Sequence, residues 1–481
     1  MPDQVHQDAW RELGNLCVHS AQFDSPERQP FSQCLPGTRG DLLDTLRTTI
    51  RTTNKKIIWL SGESGSGKSA VAHTLAQEFH NNGALAASFF FSRRHAIRST
   101  DDHFVPTISY QLGLRHPRVK EYITQALVDD PSLLKLERSR QEQFTRLVLE
   151  PLRVLKKIWK DVGKSMIMLF DALDECESGE RNYRIGQLVD FFISALQDEG
   201  TANFHVVVTS RPYSHIEEVL DKCTLVVPHV IDDFDARHDI EDFLKTSFDE
   251  ISRAPYFSLP TPWPSYTDLQ LLVDRVSRRF IVAATVVRLL RQKRPSDMRH
   301  FLDALLQTHR LTSTIDELYR HVINSSQPAS AGTSLLVYIL SLSEPLSIKD
   351  LSCLAQYDVR PVLDSMAAIV YVPPAGSNEP IGTYHTSLRD FLWDEARSQE
   401  LYVNPAVAHC GIARACLELM EGSLKKNICG FNDHSSLHTE IVGFDDKRDR
   451  AICPALAYST KHWLDHLCDA APDPRLQSLL S

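Results

Sequence analysis

The stretch Ile57-Ile58-Trp59-Leu60-Ser61-Gly62-Glu63-Ser64-Gly65-Ser66-Gly67-Lys68-Ser69-Ala70 decides the fold. An apolar run leads into a glycine-rich segment, and Ser69–His80 carries a helical pattern. The order predicts strand, loop and helix. Gly62 to Ser69 fits GxxxxGK[ST] at every fixed position. The glycines let the backbone curl until its N–H groups point at an anion. Lys68 reaches the β- and γ-phosphates of a nucleotide, and Ser69 offers a hydroxyl to Mg²⁺. The helix that starts there turns its positive end toward the same anion. The expected ligands are therefore ATP or ADP with Mg²⁺, held by Gly62, Glu63, Ser64, Gly65, Ser66, Gly67, Lys68, Ser69 and Ala70. A flexible Gly/Ser turn is the plain alternative, and the flanking strand and helix speak against it.

A second stretch completes the site. Met166-Ile-Met-Leu-Phe-Asp171-Ala-Leu-Asp174-Glu175 reads as a buried strand ending in acid. A carboxylate held at the C-terminal edge of a sheet suits a Mg²⁺–water network, so Asp171 joins Ser69 as the expected metal residue. Asp174 and Glu175 follow on the loop, where either could orient or deprotonate an attacking water. Alone, this acidic run would be a solvated turn; its pairing with the upstream phosphate loop gives it meaning. Phe204–Ser210 supplies a further strand ending in Thr209-Ser210-Arg211-Pro212. Arg211 is expected to reach a γ-phosphate, with an ion pair to a nearby carboxylate as the alternative.

Working outward, five short apolar runs alternate with helical segments: Lys56–Leu60, Leu85–Phe91, Met166–Phe170, Phe204–Thr209 and Thr224–Val230. Their weak polar alternation suits strands buried on both faces of a mostly parallel sheet. The helix Gln141–Trp159 places Phe144, Leu147, Val148, Leu152, Leu155 and Ile158 at helical spacing, for packing on that sheet. The fold class is α/β, a three-layer α/β/α P-loop NTPase domain followed by helical units. The expected boundaries are a short leader at 1–33, the P-loop domain at 34–232, a helical domain at 233–330, a smaller unit at 331–400 and a helical segment at 401–481. The smaller unit reads as three helices, a turn, a short strand ending near His385 and a last helix.

The chain has 481 residues, with 52 Lys+Arg against 62 Asp+Glu and a net charge of −10. That length predicts three or four domains. The hydrophobic share is 42% and the charged share 24%, which excludes a disordered chain. No run approaches the ~18 apolar residues of a membrane helix. The polar N-terminus has no apolar core of a secretory signal, so a cytoplasmic protein is expected. The ten cysteines are scattered with no CxxC pair, which predicts reduced thiols. The acidic balance argues against nucleic acid as a general partner. Charge is uneven: residues 331–400 hold nine acidic and four basic side chains, whereas residues 274–310 hold nine basic and three acidic. The basic segment is expected to be a solvated helical face that meets the acidic one, with docking of an acidic partner, nucleic acid or lipid as the alternative, and the acidic one is not expected to read DNA.

With these residues in place, the chain resembles the NACHT-type STAND ATPases, specifically fungal NLR-like proteins with a nephrocystin-3-like P-loop domain. The resemblance rests on AQFDSPER, CLPGTR, WLSGESGSGKSAVA, ASFFFSR, FDALDEC, VVVTSRP, HTSLRDFL, LKKNIC and AYSTKHWLDHL, spread from Ala21 to Leu467. A small residue after the metal Asp, here Ala172, belongs to the same pattern. The resemblance implies a P-loop domain, a helical domain, a winged-helix-like domain at 331–400 and further helices. It implies that Gly37, Thr38 and Arg39 lie near the adenine, and that His385 bonds the β-phosphate of ADP in a closed state. It also implies slow Mg-dependent ATP hydrolysis, self-association in the ATP state and an immune or non-self signalling role. The pattern departs at Arg278-Arg279-Phe280-Ile281, where relatives have Gly-Leu-Phe-Ile, and at His-Thr-Ser-Leu in place of HxSF. Sensor repeats and an effector domain are expected to be missing. A nucleotide-stabilised scaffold with little turnover is the alternative that this raises.

Overall fold

The computed structural model describes residues 2–25, 33–93, 95, 97–135, 137–158, 165–176, 181–198, 200–201, 203–254, 262–276, 279–307, 315–326, 329–431 and 441–479. The chain divides into two compact units: residues 1–246 with 278–280, and residues 247–277 with 281–481. The first unit is built on a parallel sheet of β1 (Ile57–Ser61), β2 (Leu85–Phe90), β3 (Met166–Asp171), β4 (Phe204–Ser210) and β5 (Val226–Val230). The strand order is β2-β3-β4-β1-β5. Its helices are α1 (Pro2–Leu16), α2 (Gly40–Thr52), α3 (Lys68–Asn81), α4 (Phe104–Arg115), α5 (Pro117–Asp129), α6 (Arg140–Phe144), α7 (Glu150–Ile158), α8 (Arg181–Gln197), α9 (Ser214–Leu220) and most of α10 (Arg237–Ser252).

The three layers follow from strand periodicity. Side chains alternate across a sheet, so Ile57, Trp59, Met166, Met168, Phe170, Val206 and Val208 fill one core with Phe104, Leu112 and Leu152. Ile58, Leu60, Ile167, Leu169 and Val207 fill the other, against Leu42 and Leu46 of α2 and Val71 and Leu75 of α3. Both faces are covered, which is why these strands read as unbroken apolar runs. The α/β/α fold class expected from sequence is the one observed.

Three expectations change. Residues 2–16 are not a leader: they form α1, whose Leu13 is fully buried in the first core. Trp10 stacks on Tyr110 with ring centroids 4.7 Å apart. β5 is not buried on both faces: its exposure alternates, and Val230 is 40% exposed. The long helix expected at Gln141–Trp159 is interrupted by a π turn at Thr145–Leu149, and Trp159 lies outside the described residues. Its apolar face is as expected, with Phe144, Leu147, Val148, Leu152 and Leu155 in the core.

The second unit is mainly helical. It contains α11 (Tyr266–Arg275), α12 (Phe280–Arg291), α13 (Pro295–Gln307), α14 (Ile315–Ser325) and α15 (Ala329–Ser341). Then come α16 (Ile348–Ala355), α17 (Arg360–Ser365), an antiparallel pair β6 (Val370–Tyr371) and β7 (Gly382–Thr383), α18 (Ser387–Leu392) and α19 (Glu395–Ser398). The last helices are α20 (Pro405–Ser423), α21 (Phe444–Ala451), α22 (Pro454–Cys468) and α23 (Pro474–Leu479). Local chemistry sets the boundaries: Ser265 and Ser347 each accept a bond from the backbone N–H three residues on, at Asp268 and Asp350. Pro405 and Pro454 occupy the first helical position, where a missing N–H costs nothing. No helix among the described residues is long and apolar enough to cross a membrane.

Candidate functional site

Because β4 lies between β1 and β3, the C-terminal ends of these three strands stand side by side. Leu60 is in register with Thr209, and Phe170 with Val208. The sheet therefore delivers the loop after β1, the carboxylates after β3 and the Thr209–Arg211 segment after β4 to one edge. Crevices at such an edge are where open α/β sheets bind ligands.

The loop after β1 can curl only with glycine. Gly67, directly before α3, has φ of 98°, a left-handed conformation that glycine adopts without penalty. At Gly62 a Cβ would lie 2.2 Å from Ile231 Cγ2, so a side chain there has no room. Lys68 folds back over the loop, donating to the carbonyls of Gly62 at 2.7 Å and Glu63 at 2.8 Å. Burial lowers its pKa, against the upward pull of Asp174 and Asp171. The hydroxyls of Ser64 and Ser66 are buried without a hydrogen-bond partner. Buried donors left unmade are costly, and a phosphate would satisfy them, so the residues present fit a nucleotide phosphate. Glu63 and Ser69 are exposed, and Ala70 is half-buried in the first turn of α3.

Asp171 is buried and accepts a 2.5 Å bond from Thr209 Oγ1, which in turn accepts from the Ala172 N–H at 3.0 Å. Ala172 has φ of 56°, uncommon for a residue with a Cβ. This left-handed step starts the short helical turn Leu173–Glu175. Asp174 is held by Arg211: Nε lies 3.1 Å from Oδ2, and the Arg211 N–H donates to Oδ1 at 3.1 Å. Arg211 is thus an ion-pair partner of Asp174, the alternative raised by the sequence. Its guanidinium also donates to the Tyr213 hydroxyl at 3.1 Å.

Sequence reasoning missed Arg93 and Thr209 as site residues. The Arg93 N–H donates to Glu175 Oε2 at 3.1 Å, and its guanidinium donates to the Asp174 carbonyl at 2.6 Å. Arg211 therefore pairs with the Asp174 carboxylate, whereas the Glu175 carboxylate is met by the backbone N–H of Arg93. Arg93 closes the ASFFFSR stretch, and Thr209 is a hydroxyl at a strand end; those were the available signals.

The segment before α2 also reaches the loop. Gly37 has φ of 87°, and Thr38 Oγ1 donates to the Leu35 carbonyl at 2.8 Å, closing a turn. Arg39 is buried, with φ of 57°, and donates to the Ser66 carbonyl at 2.7 Å. Its own N–H donates to Asp239 Oδ2 at 2.9 Å, and its guanidinium lies 5.1 Å from the Phe280 ring centroid. Burial lowers the Arg39 pKa, opposed by Asp239. Of the two arginines that depart from the family pattern, Arg279 is exposed, and Arg278 lies outside the described residues.

His385 belongs to the second unit. Its Nδ1 accepts from the Ser387 N–H at 3.0 Å, so the neutral ring carries its proton on Nε2. Ser387 Oγ lies 2.8 Å from Nδ1 and 2.8 Å from the Tyr319 hydroxyl. The neighbouring Tyr384 ring stacks under Arg288, 3.7 Å from its centroid. That stack joins the basic 274–310 segment to the acidic 331–400 segment.

Residues 37–211, a little over a third of the chain, match the family model described as Nephrocystin 3, N-terminal. That span runs from the turn before α2 through the phosphate loop and acidic strand to Arg211. No curated protein matches the chain. Among solved structures, a STAND protein with a tetratricopeptide repeat sensor from Pyrococcus horikoshii is similar at 14% identity and a TM-score of 0.41. The match covers 92% of this chain and 54% of that one, so this chain spans about half of its length. PCH-2 from C. elegans is similar at 14% identity and a TM-score of 0.33, over 57% of this chain and 70% of that one. The ORC1 protein from Aeropyrum pernix, solved in complex with DNA, is similar at 14% identity and a TM-score of 0.31, over 75% of this chain and 92% of that one. At this distance they carry no residue role or activity across.

Proposed function

We propose that the chain is a nucleotide-binding signalling ATPase of the NACHT/STAND type, switching between ADP and ATP–Mg²⁺ states. One observation carries the reading: a glycine loop with buried, unpartnered Ser64 and Ser66 hydroxyls lies at the same sheet edge as buried Asp171. The loop N–H groups and Lys68 bind the phosphates. Ser69 and Asp171 hold Mg²⁺, which neutralises phosphate charge when bound. Thr209 fixes the Asp171 carboxylate, and Asp174 or Glu175 orients the attacking water. Gly37, Thr38 and Arg39 serve the adenine side, and His385 retains ADP through its β-phosphate. The helical and winged-helix-like parts at 233–330 and 331–400 respond to the nucleotide, and the ATP state self-associates. A role in NLR-like non-self signalling in a fungus, in the cytoplasm, completes the reading on family resemblance.

A switch needs ligands that bind its two states unequally, typically by about 1–3 kcal/mol of coupling. Lys68→Ala tests the site directly by calorimetry with ATP and with ADP. Loss of binding is expected, and unchanged affinity would remove the phosphate site from the proposal.

One observation favours a second reading, a nucleotide-stabilised scaffold with little turnover. The Arg211 guanidinium pairs with Asp174, and the Arg93 backbone N–H holds Glu175, the two carboxylates that would handle water. Phosphate release under multiple turnover separates the two readings. Repeated turnover supports the switch; less than one phosphate per chain supports the scaffold. His385→Ala is expected to speed ADP loss and raise self-association by light scattering.

A further inference from the structure

The ten cysteines are not equivalent. Cys17, Cys176, Cys410 and Cys416 are buried, whereas Cys353, Cys453 and Cys468 are exposed. Cys353 lies on α16, and Cys453 caps the N-terminus of α22. These two helices pack on each other. Leu351 and Leu354 of α16 are fully buried, as is Ala455 of α22, so the helix positions are set by core packing. The two thiols, a hundred residues apart in sequence, lie at the exposed margin of that contact, near enough for the Cys453 thiol to act on Cys353.

We propose that Cys353 and Cys453 are a redox-modification site, forming a reversible disulfide that ties α16 to the start of α22. The oxidant is a peroxide. One thiolate attacks a peroxide oxygen, breaking the O–O bond and giving a sulfenic acid and water. The second sulfur then attacks the sulfenic sulfur; the S–O bond breaks, water leaves and the S–S bond forms. Two thiols lose two electrons and two protons, and hydrogen peroxide becomes two waters. Reduction runs by exchange with a small thiol such as glutathione.

Several features single out this pair. Both sulfurs are reachable by a small oxidant without opening a core. By contrast, burial pushes the Cys17 and Cys416 thiols up to about 11 and shields them. Burial, then the Cys453 thiol, raises the Cys353 pKa. Accessibility and the neighbouring thiol, rather than a low pKa, therefore single out the pair. A bond across so long a loop removes much freedom from the unfolded chain. It would therefore stabilise the second unit, where α16 meets the start of α22. This proposal does not rest on the nucleotide reading.

The test uses the full chain, reduced and then treated with hydrogen peroxide. Remaining thiols are blocked with N-ethylmaleimide, and the digest is read by mass spectrometry without reductant. The expected result is loss of two blockable thiols, with the Cys353–Cys453 cross-linked peptide as the dominant disulfide, reversed by glutathione. Cys353→Ser and Cys453→Ser should each abolish that peptide. A wild-type digest without it, or with Cys453 joined mainly to another cysteine such as Cys468, overturns the proposal. The wild-type digest decides the matter even if a variant fails to fold.

Discussion

Arg211 grips Asp174 twice, through Nε at 3.1 Å from Oδ2 and through its backbone N–H at 3.1 Å from Oδ1. The two side chains are only 11% and 3% exposed. Water cannot replace the guanidinium if it is removed, and an uncompensated buried carboxylate costs about 3–5 kcal/mol. Arg211→Gln should therefore lower stability to urea by about 3 kcal/mol. Adding Asp174→Asn should restore part of that loss, because the stranded charge goes too. A loss below about 1 kcal/mol would show that the pair is not structural and leave Arg211 available to a phosphate.

Gly62 and Ile231 form the second close relationship. A Cβ on residue 62 would sit 2.2 Å from Ile231 Cγ2. Gly62→Ala should therefore displace the loop and cost about 1–3 kcal/mol by overpacking. Ile231→Ala opens the space but leaves a cavity of its own. The double variant should be less damaged than the two losses summed, both in urea unfolding and in ATP affinity. Strict additivity would mean that the loop is not seated against Ile231.

The strands were legible because both faces of the sheet are buried, so β1 to β4 appear as unbroken apolar runs. β5 departs because one of its faces stays toward solvent, whereas β2, the other edge strand, is buried throughout. α1 was overlooked because Leu13 and Trp10 sit among charged neighbours, and their burial depends on α4 and α5, which no local pattern announces. In the site, the phosphate loop and Asp171 follow from spacing and strand ends. Arg93, Thr209 and Asp239 do not, since their partners are set by the insertion of β4 between β1 and β3 and by contacts across long stretches of chain. Arg39 and Asp239, two hundred residues apart, meet only once the fold exists.

Acid should weaken the fold before its carboxylates titrate. Burial holds His205 in the first unit and His466 in the second at pKa values of about 4, with Lys56 adding to the effect on His205 and His409 and His462 to that on His466. Both values lie below the ordinary 6.5. Between 6.5 and 4 the unfolded chain takes up protons that the native chain refuses, so stability falls as pH drops through that window. Each histidine should cost about 2 kcal/mol at about pH 5 relative to pH 7. Glu344, lowered from 4.5 to about 2 by His462 and then Lys461, adds its loss only below 4.5. Urea midpoints at the two pH values check this, and His205→Gln should flatten the profile. An unchanged midpoint would mean that neither ring is kept neutral by burial.

Arg39 links three parts of the first unit. It donates to the Ser66 carbonyl at 2.7 Å, its N–H meets Asp239 at 2.9 Å, and its guanidinium faces the Phe280 ring at 5.1 Å. A planar guanidinium can donate in its plane while presenting its face to a ring; an ammonium cannot do both. Arg39→Lys keeps the backbone bond to Asp239 and the charge, so the fold should survive with less than about 1 kcal/mol lost. The bond that shapes the loop at Ser66 is lost or displaced, and ADP affinity should fall about tenfold, the equivalent of one hydrogen bond. Calorimetry with ADP, alongside urea unfolding of the same variant, separates the two effects. Unchanged affinity with a stable fold would place Arg39 outside the nucleotide site.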